Sequence, residues 1–235
     1  MKKIFSKSVF CFLVCAQVAF AGDASELKII GFSKEGKHLA FEVSGVQDGS
    51  GIPYREVYFV DVEQNDYLTS PMRFRGREGD GQSLGALRKQ SEVEIAELLQ
   101  LYRIDRDVQG QTLVYHPLSD LTGDGCHVRF SVFPGVFPPP SRYKYELFLE
   151  QKPTGDTCYE LEAKIFTLKL RQGEMTKILQ KDTRLPASRG CVYRYRIERV
   201  VMFERRIAVF LNIFQPGFEG PAIRHMVVTG SLEFE

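Results

Sequence analysis

The stretch Arg142-Tyr143-Lys144-Tyr145-Glu146-Leu147-Phe148-Leu149-Glu150 decides the fold class. Tyr143, Tyr145, Leu147 and Leu149 share one side of a period-two chain, with Lys144, Glu146 and Glu150 on the other. A strand turns successive side chains to opposite faces, so the pattern is that of a strand with one face in a core and one in water. Tyr193–Phe203 repeats it, with Tyr193, Tyr195 and Ile197 opposing Arg194, Arg196 and Glu198. Working outward, Leu27–Phe32, His38–Ser44, Glu56–Val62, Leu161–Leu170, Arg206–Phe214 and His225–Phe234 also read as strands. Turn residues such as Lys34-Glu35-Gly36-Lys37 separate them.

One segment breaks the rule. In Ser83–Tyr102, Leu84, Leu87, Ile95, Leu98 and Tyr102 recur at helical spacing, and Ser83 can cap the first turn. The expected architecture is therefore all-β, mostly antiparallel, with one peripheral helix over a sheet. Its packing is expected to be a β-sandwich or partly propeller-like. A faint internal echo at an offset of 168 pairs Leu39-Ala40-Phe41 with Ile207-Ala208-Val209, each opening a strand, Gly/Pro loop, strand unit.

The N-terminus has the three parts of an export signal. Lys2 and Lys3 form the basic start, Val9–Phe20 is apolar apart from Gln17, and Ala19 and Ala21 place small residues before a cleavage between Ala21 and Gly22. The apolar run is too short to cross a bilayer core of about 30 Å. The expectation is a signal peptide over 1–21 and one β-rich domain over 22–235, periplasmic or secreted, with no membrane span in the mature chain. Removing the signal's three lysines from the 31 basic residues leaves 28 against 30 acidic ones. So even a balance supplies no overall attraction to nucleic acid or to an anionic membrane.

Export also governs the sulfur chemistry. Cys11 and Cys15 leave with the signal, and Cys126, Cys158 and Cys191 remain. Thiols outside the cytoplasm tend to pair. Cys158 and Cys191 each follow turn residues at a strand end, so they are the expected disulfide, worth about 3–4 kcal/mol by the chain-entropy account. Cys126 and His127 are strand neighbours that face opposite ways, and so do not share a ligand.

No catalytic or cofactor motif stands out. His38, His116, His127 and His225 form no short zinc spacing, and there is no nucleophile elbow, P-loop or dinucleotide fingerprint. Asp120-Leu121-Thr122-Gly123-Asp124-Gly125 begins like a calcium loop, but Ser131 stands where the closing acid belongs, which leaves a polar turn. No metal ligand, cofactor or catalytic residue is assigned. Arg189, Arg194, Arg196 and Arg199 gather charge that can grip the carboxylate or phosphate groups of an envelope glycan, or can pair across strands on a solvated face. With Tyr54, the first three are the candidate ligand surface. Phe133–Pro140 is a stiff apolar connection.

Two resemblances add to this reading. Gly31–Phe41 followed by Glu56–Val62 resembles one blade of the TolB-type propeller family, with Glu35 where that family carries Asp. Gly45-Val46-Gln47-Asp48-Gly49-Ser50-Gly51-Ile52-Pro53-Tyr54, Ala187–Arg199 and Gln215–Pro221 are similar to an uncharacterised bacterial family of predicted secreted proteins, domain of unknown function 2259. That resemblance implies an envelope location and a single domain, and it brings no activity, cofactor or catalytic residue. The functional expectation is a non-enzymatic module that binds an envelope protein or glycan through its loops. The alternative is an envelope hydrolase with a site dispersed along the chain.

Overall fold

The computed structural model describes residues 23–120, 122–132, 140, 143–217 and 220–234, with the backbone but not the side chain of Cys158. The signal segment and nearly all of Phe133–Pro140 lie outside these residues. Three antiparallel sheets account for the strands. The N-terminal sheet contains β1 (Glu26–Ser33), β2 (His38–Val46), β3 (Pro53–Asp61), β4 (Asp66–Tyr67), β5 (Met72–Arg75) and β6 (Ile104–Asp105), in the order β4-β3-β2-β1-β6 with β5 also beside β3. The hairpin sheet runs β11-β10-β9-β8, from β8 (His127–Ser131), β9 (Lys144–Cys158), β10 (Leu161–Gln172) and β11 (Met175–Lys181). The middle sheet runs β14-β13-β12-β7, from β7 (Gln111–Tyr115), β12 (Arg194–Phe203), β13 (Arg206–Pro216) and β14 (Pro221–Ser231).

The cores show how the sheets stack. Leu147, Leu168 and Leu170 of the hairpin sheet share a cluster with Ile197, Val209 and Leu211 of the middle sheet. The other face of the middle sheet gives Val201, Ala208, Phe210 and Val227 to a second cluster with Leu39, Phe41 and Val60 of the N-terminal sheet. A third cluster joins Ala40, Val57 and Phe59 to Ile95 and Leu99 of the helical segment. The layers are thus hairpin sheet, middle sheet, N-terminal sheet, helices. Two sandwiches share one wall, and β13, central in that wall, is buried from Ile207 through Phe214. A strand covered on both faces loses its alternation, which is why its sequence is an almost unbroken apolar run.

The all-β class with a peripheral helical element stands, with one refinement. The helical segment is two helices, α1 (Leu84–Gln90) and α2 (Glu92–Leu101), divided at Ser91. Ser83 caps α1 as expected, its Oγ accepting from Ala86 N at 3.1 Å. The Ser91 hydroxyl bonds back to Leu87 O at 2.8 Å and accepts from Arg55 Nη1 at 2.7 Å, and this competition with the backbone interrupts the helix. Beneath the break lies a buried ionic group in which Arg55 Nε donates to Glu42 Oε2 at 2.8 Å and Arg88 Nε to Glu42 Oε1 at 2.7 Å. Burial pushes the Glu42 carboxyl up, but the two guanidiniums outweigh it and hold the group below its ordinary range.

The blade-like stretch forms the meander β1-β2-β3. The echo also has a structural counterpart. Its two copies are the hairpins β2-β3 and β13-β14 in facing sheets, but their registers differ: Leu39 lies opposite Val60, whereas Ile207 lies opposite Gly230 and Val228, 168 residues after Val60, lies opposite Val209.

Candidate functional site

β14 is an edge strand of the middle sheet, and its free edge forms the floor of a cleft of about 540 Å³. Tyr58 and Val60 of β3, Tyr67 of β4 and Arg73 of β5 form one wall. Gln180 of β11 and the turn Pro186–Arg189 form the opposite wall. The volume lies within the usual range for a ligand site. Three layers meet here because β4 and β5 widen the N-terminal sheet past the end of the middle one.

The polar groups of the walls are mutually braced. Tyr58 Oη donates to Glu56 Oε2 at 2.5 Å, and Arg73 Nε donates to Glu56 Oε1 at 3.1 Å. Burial, then the Glu56 charge, drives the Tyr58 hydroxyl far above the ordinary tyrosine range. Asn65 Nδ2 donates to Gln180 Oε1 at 3.1 Å, tying the two walls together at one end. Tyr67 is 42% exposed, yet it stands inside the cleft with protein around it. That crowding raises its hydroxyl to about 12. It therefore offers a neutral phenol and an open ring face at any physiological pH.

Behind the cleft floor lies a buried polar cluster. A β-bulge between Ile197 and Arg199 makes Glu198 an extra residue in β12 and re-aims its carboxylate. Glu198 Oε2 lies 2.7 Å from His225 Nε2 and accepts from Asn212 Nδ2 at 3.0 Å. On the other side of the imidazole, His225 Nδ1 lies 2.9 Å from Ser25 Oγ. Ser25, His225 and Glu198 are each less than a tenth exposed. Ser25 belongs to an N-terminal strap that adds to β14, with Ile223 N donating to Asp23 O and Ser25 N to Ile223 O. The strap is held by Arg224 Nη2 to Asp23 Oδ2 at 2.5 Å. A histidine between a hydroxyl and a carboxylate is the hydrogen-bond order of an acyl-transfer relay. Here, however, Ser25 Oγ also lies 2.9 Å from Ile223 O as a donor, and Ser25 does not line the cleft.

The residues singled out from the sequence fall in different places. Arg189 lines the cleft and is a half-buried brace, pairing with both oxygens of Asp182 and lying 4.9 Å over the Phe166 ring. Arg196 is buried, its guanidinium donating to Pro117 O at 3.0 Å and Asp120 O at 2.8 Å. This staples the calcium-like loop to β12. The Asp120 carboxyl is held well below its ordinary range, first by the Thr122 hydroxyl and then by His116. Arg194 is exposed, with its guanidinium 5.2 Å over the Phe214 ring. Tyr54 is buried beneath Arg224, 5.0 Å from ring centroid to guanidinium, and burial raises its hydroxyl to about 12 against the pull of Arg224. The four do not form one surface.

Cys126 is a free thiol that receives a hydrogen bond from Gln151 Nε2 at 3.2 Å, and burial raises its pKa. His127 faces the other way, toward Glu146. No three His, Cys, Asp or Glu side chains converge to hold a metal among the described residues.

From the sequence, Ser25, Glu198, Asn212 and His225 carried no site role. The available signal was polar residues set in apolar runs, Asn212 within Ile207–Phe214 and His225 before Met226-Val227-Val228. No curated protein and no solved structure matches the chain significantly. The family model for predicted secreted proteins of unknown function, DUF2259, matches residues 40–231, and the chain belongs to that family.

Proposed function

We propose that this chain is an exported envelope protein that works as a binding module and takes its partner in the cleft along β14. The observation that carries the proposal is the cleft itself, a concave site of about 540 Å³ where three rigid sheets meet, with an open tyrosine ring and braced polar groups in its walls. Rigid walls reduce the ordering cost of binding. Arg189 contributes from one wall, and Tyr54 supports the cleft from behind through Arg224.

The rest of the proposal follows from export. The signal is cleaved between Ala21 and Gly22, the mature domain runs from 22 to 235, and it resides in the periplasm or beyond. Cys158 and Cys191 then pair. In support, Cys158 sits opposite Leu161 at the β9–β10 turn, while Val192 O accepts from Lys164 N at 2.8 Å on the same strand β10. Among the described residues no helix is long and apolar enough to cross a membrane.

The test is an NMR titration of the mature protein with panels of synthetic peptides and soluble peptidoglycan fragments. The expected result is shifts centred on Tyr67, Arg73 and Gln180, with at least tenfold weaker binding in Tyr67→Ala. Shifts centred elsewhere, or none, would sink the cleft as the site.

A second reading has its own observation. The relay Ser25–His225–Glu198 supports a hydrolase in which Ser25 attacks an acyl group and His225 takes its proton. A fluorophosphonate probe that labels Ser25 in wild type but not in His225→Gln would favour this reading. An unlabelled Ser25 would leave the cluster as a clamp on the strap.

A further inference from the structure

The edge of β14 is open along a defined stretch. In an antiparallel pair, every second residue turns its N–H and C=O away from its neighbour strand. In β14 these are the odd-numbered residues, because both outward groups of Ile223 bond the strap, through Asp23 O at 2.8 Å and Ser25 N at 3.1 Å. At the far end the Thr229 N–H donates to Asn65 Oδ1 at 2.8 Å. His225 and Val227 lie between with the same parity, in register with Asn212 and Phe210 of β13. Among the described residues their outward N–H and C=O groups find no hydrogen-bond partner. Both residues line the cleft.

We infer that the cleft receives an extended peptide segment of a partner protein, which adds to β14 as a further strand beside His225 and Val227. This rests on the reading of the cleft as the binding site and names its occupant. Three features argue for a peptide backbone. The protein already closes the neighbouring part of this edge with an extended segment, the strap, which runs parallel to β14 through Ala24 and Ile223. Two donors and two acceptors repeating at strand spacing are matched by another strand, whereas sugar hydroxyls have no such repeat. The stretch is bounded, by Ser25 at one end and Asn65 at the other. The open part, residues 224 to 228, spans about 13 Å at about 3.3 Å per residue, which suits a segment of roughly four residues. The walls add side-chain preference. A strand laid here turns one side chain toward Tyr58 and Val60 and the next toward Gln180 and Ser188, so an alternating apolar and polar segment fits.

The experiment uses the mature protein, 15N-labelled, with heptapeptides selected from a random display library and then synthesised. Amide hydrogen exchange is read residue by residue, with and without peptide. The expected result is at least tenfold slower exchange at His225 and Val227. Peptides N-methylated at alternate backbone nitrogens should bind at least tenfold more weakly in one phase of the alternation and normally in the other. Peptides or peptidoglycan fragments that shift Tyr67 and Gln180 without slowing these two amides, and without sensitivity to N-methylation, would overturn strand addition and leave the cleft standing. Protection that rises with protein concentration in the absence of peptide would replace the partner segment with a second copy. Cleft residues unmoved by every probe would overturn both readings together.

Discussion

The two faces of the middle sheet carry different chemistry on one backbone. Toward the hairpin sheet, β12, β13 and β14 present Ile197, Val209, Leu211, Met226 and Val228, all in one apolar cluster. Toward the N-terminal sheet the same strands begin apolar, with Val201, Ala208, Phe210 and Val227, and then turn polar at Asn212, His225 and Glu198. The first face is sealed. The second opens into the cleft where its apolar part ends. This fold tolerates imperfect pairing on one side of the shared wall only. The hairpin-sheet interface supplies rigidity, and the N-terminal interface holds buried polar groups with an incomplete set of partners, Asn212 Oδ1 among them. Groups of that kind cost stability and are kept where they do something.

The sealed face should be the most sensitive to truncation. Leu168 is fully buried there, so Leu168→Ala should cost about 2–5 kcal/mol, read as a lower urea midpoint with an unchanged slope. A loss below about 1 kcal/mol would mean that this interface relaxes freely, and the contrast between the faces would fail. On the polar face His225→Ala removes a partner from buried Glu198 and from Ser25. It should cost about 1–3 kcal/mol and loosen the strap, seen as faster exchange of the Ser25 amide. If stability falls but the Ser25 amide does not change, the cluster does not hold the strap.

Much of this layering was legible in the sequence, and the rest was not for definite reasons. Period two exposed the strands that have one buried face, whereas Arg206–Phe214 read only as a strand and its burial on both faces came from the structure. Periodicity shows which face of a strand is apolar, but not which sheet meets it, so the shared-wall stack could not be read off. The helix break at Ser91 depends on Arg55, 36 residues away in sequence, reaching its hydroxyl. The polar cluster needed three facts invisible locally: a bulge that turns Glu198, the β13–β14 register that sets Asn212 beside His225, and a strap that returns to β14 from 200 residues away. Arg196 was read as facing solvent or a ligand because its strand alternates cleanly. The opposite face is buried too, under the loop carrying Pro117 and Asp120.

The ionic group under the helices sets a fully partnered buried carboxylate, Glu42, against the polar face. Glu42 has its pKa lowered in the folded state from 4.5. A group of this sign contributes stability that is complete above its unfolded value, and loses it as pH falls from there through the folded value. The urea midpoint should therefore drop as pH is lowered below about 4.5, and the drop should be shallower in Glu42→Gln, which has no proton to take up. An identical acid limb in both proteins would show that Glu42 does not report on the docking of α1 and α2.

Truncation in the cleft wall should cost the fold least. Tyr67 sits on β4, a strand of two residues, with its ring open in the cleft. The ring packs against Tyr58 at a tilted 5.6 Å and lines the cleft. Substitutions at partly exposed positions outside the core clusters change stability by about 0.5 kcal/mol or less. Tyr67→Ala should therefore leave the urea midpoint within error while weakening whatever the cleft binds. A structural tyrosine would behave the opposite way, lowering stability and leaving binding alone, and its loss would then open the wall between β3 and β14. A near-zero change in stability beside a tenfold change in binding is what separates a residue kept for a partner from one kept for the fold.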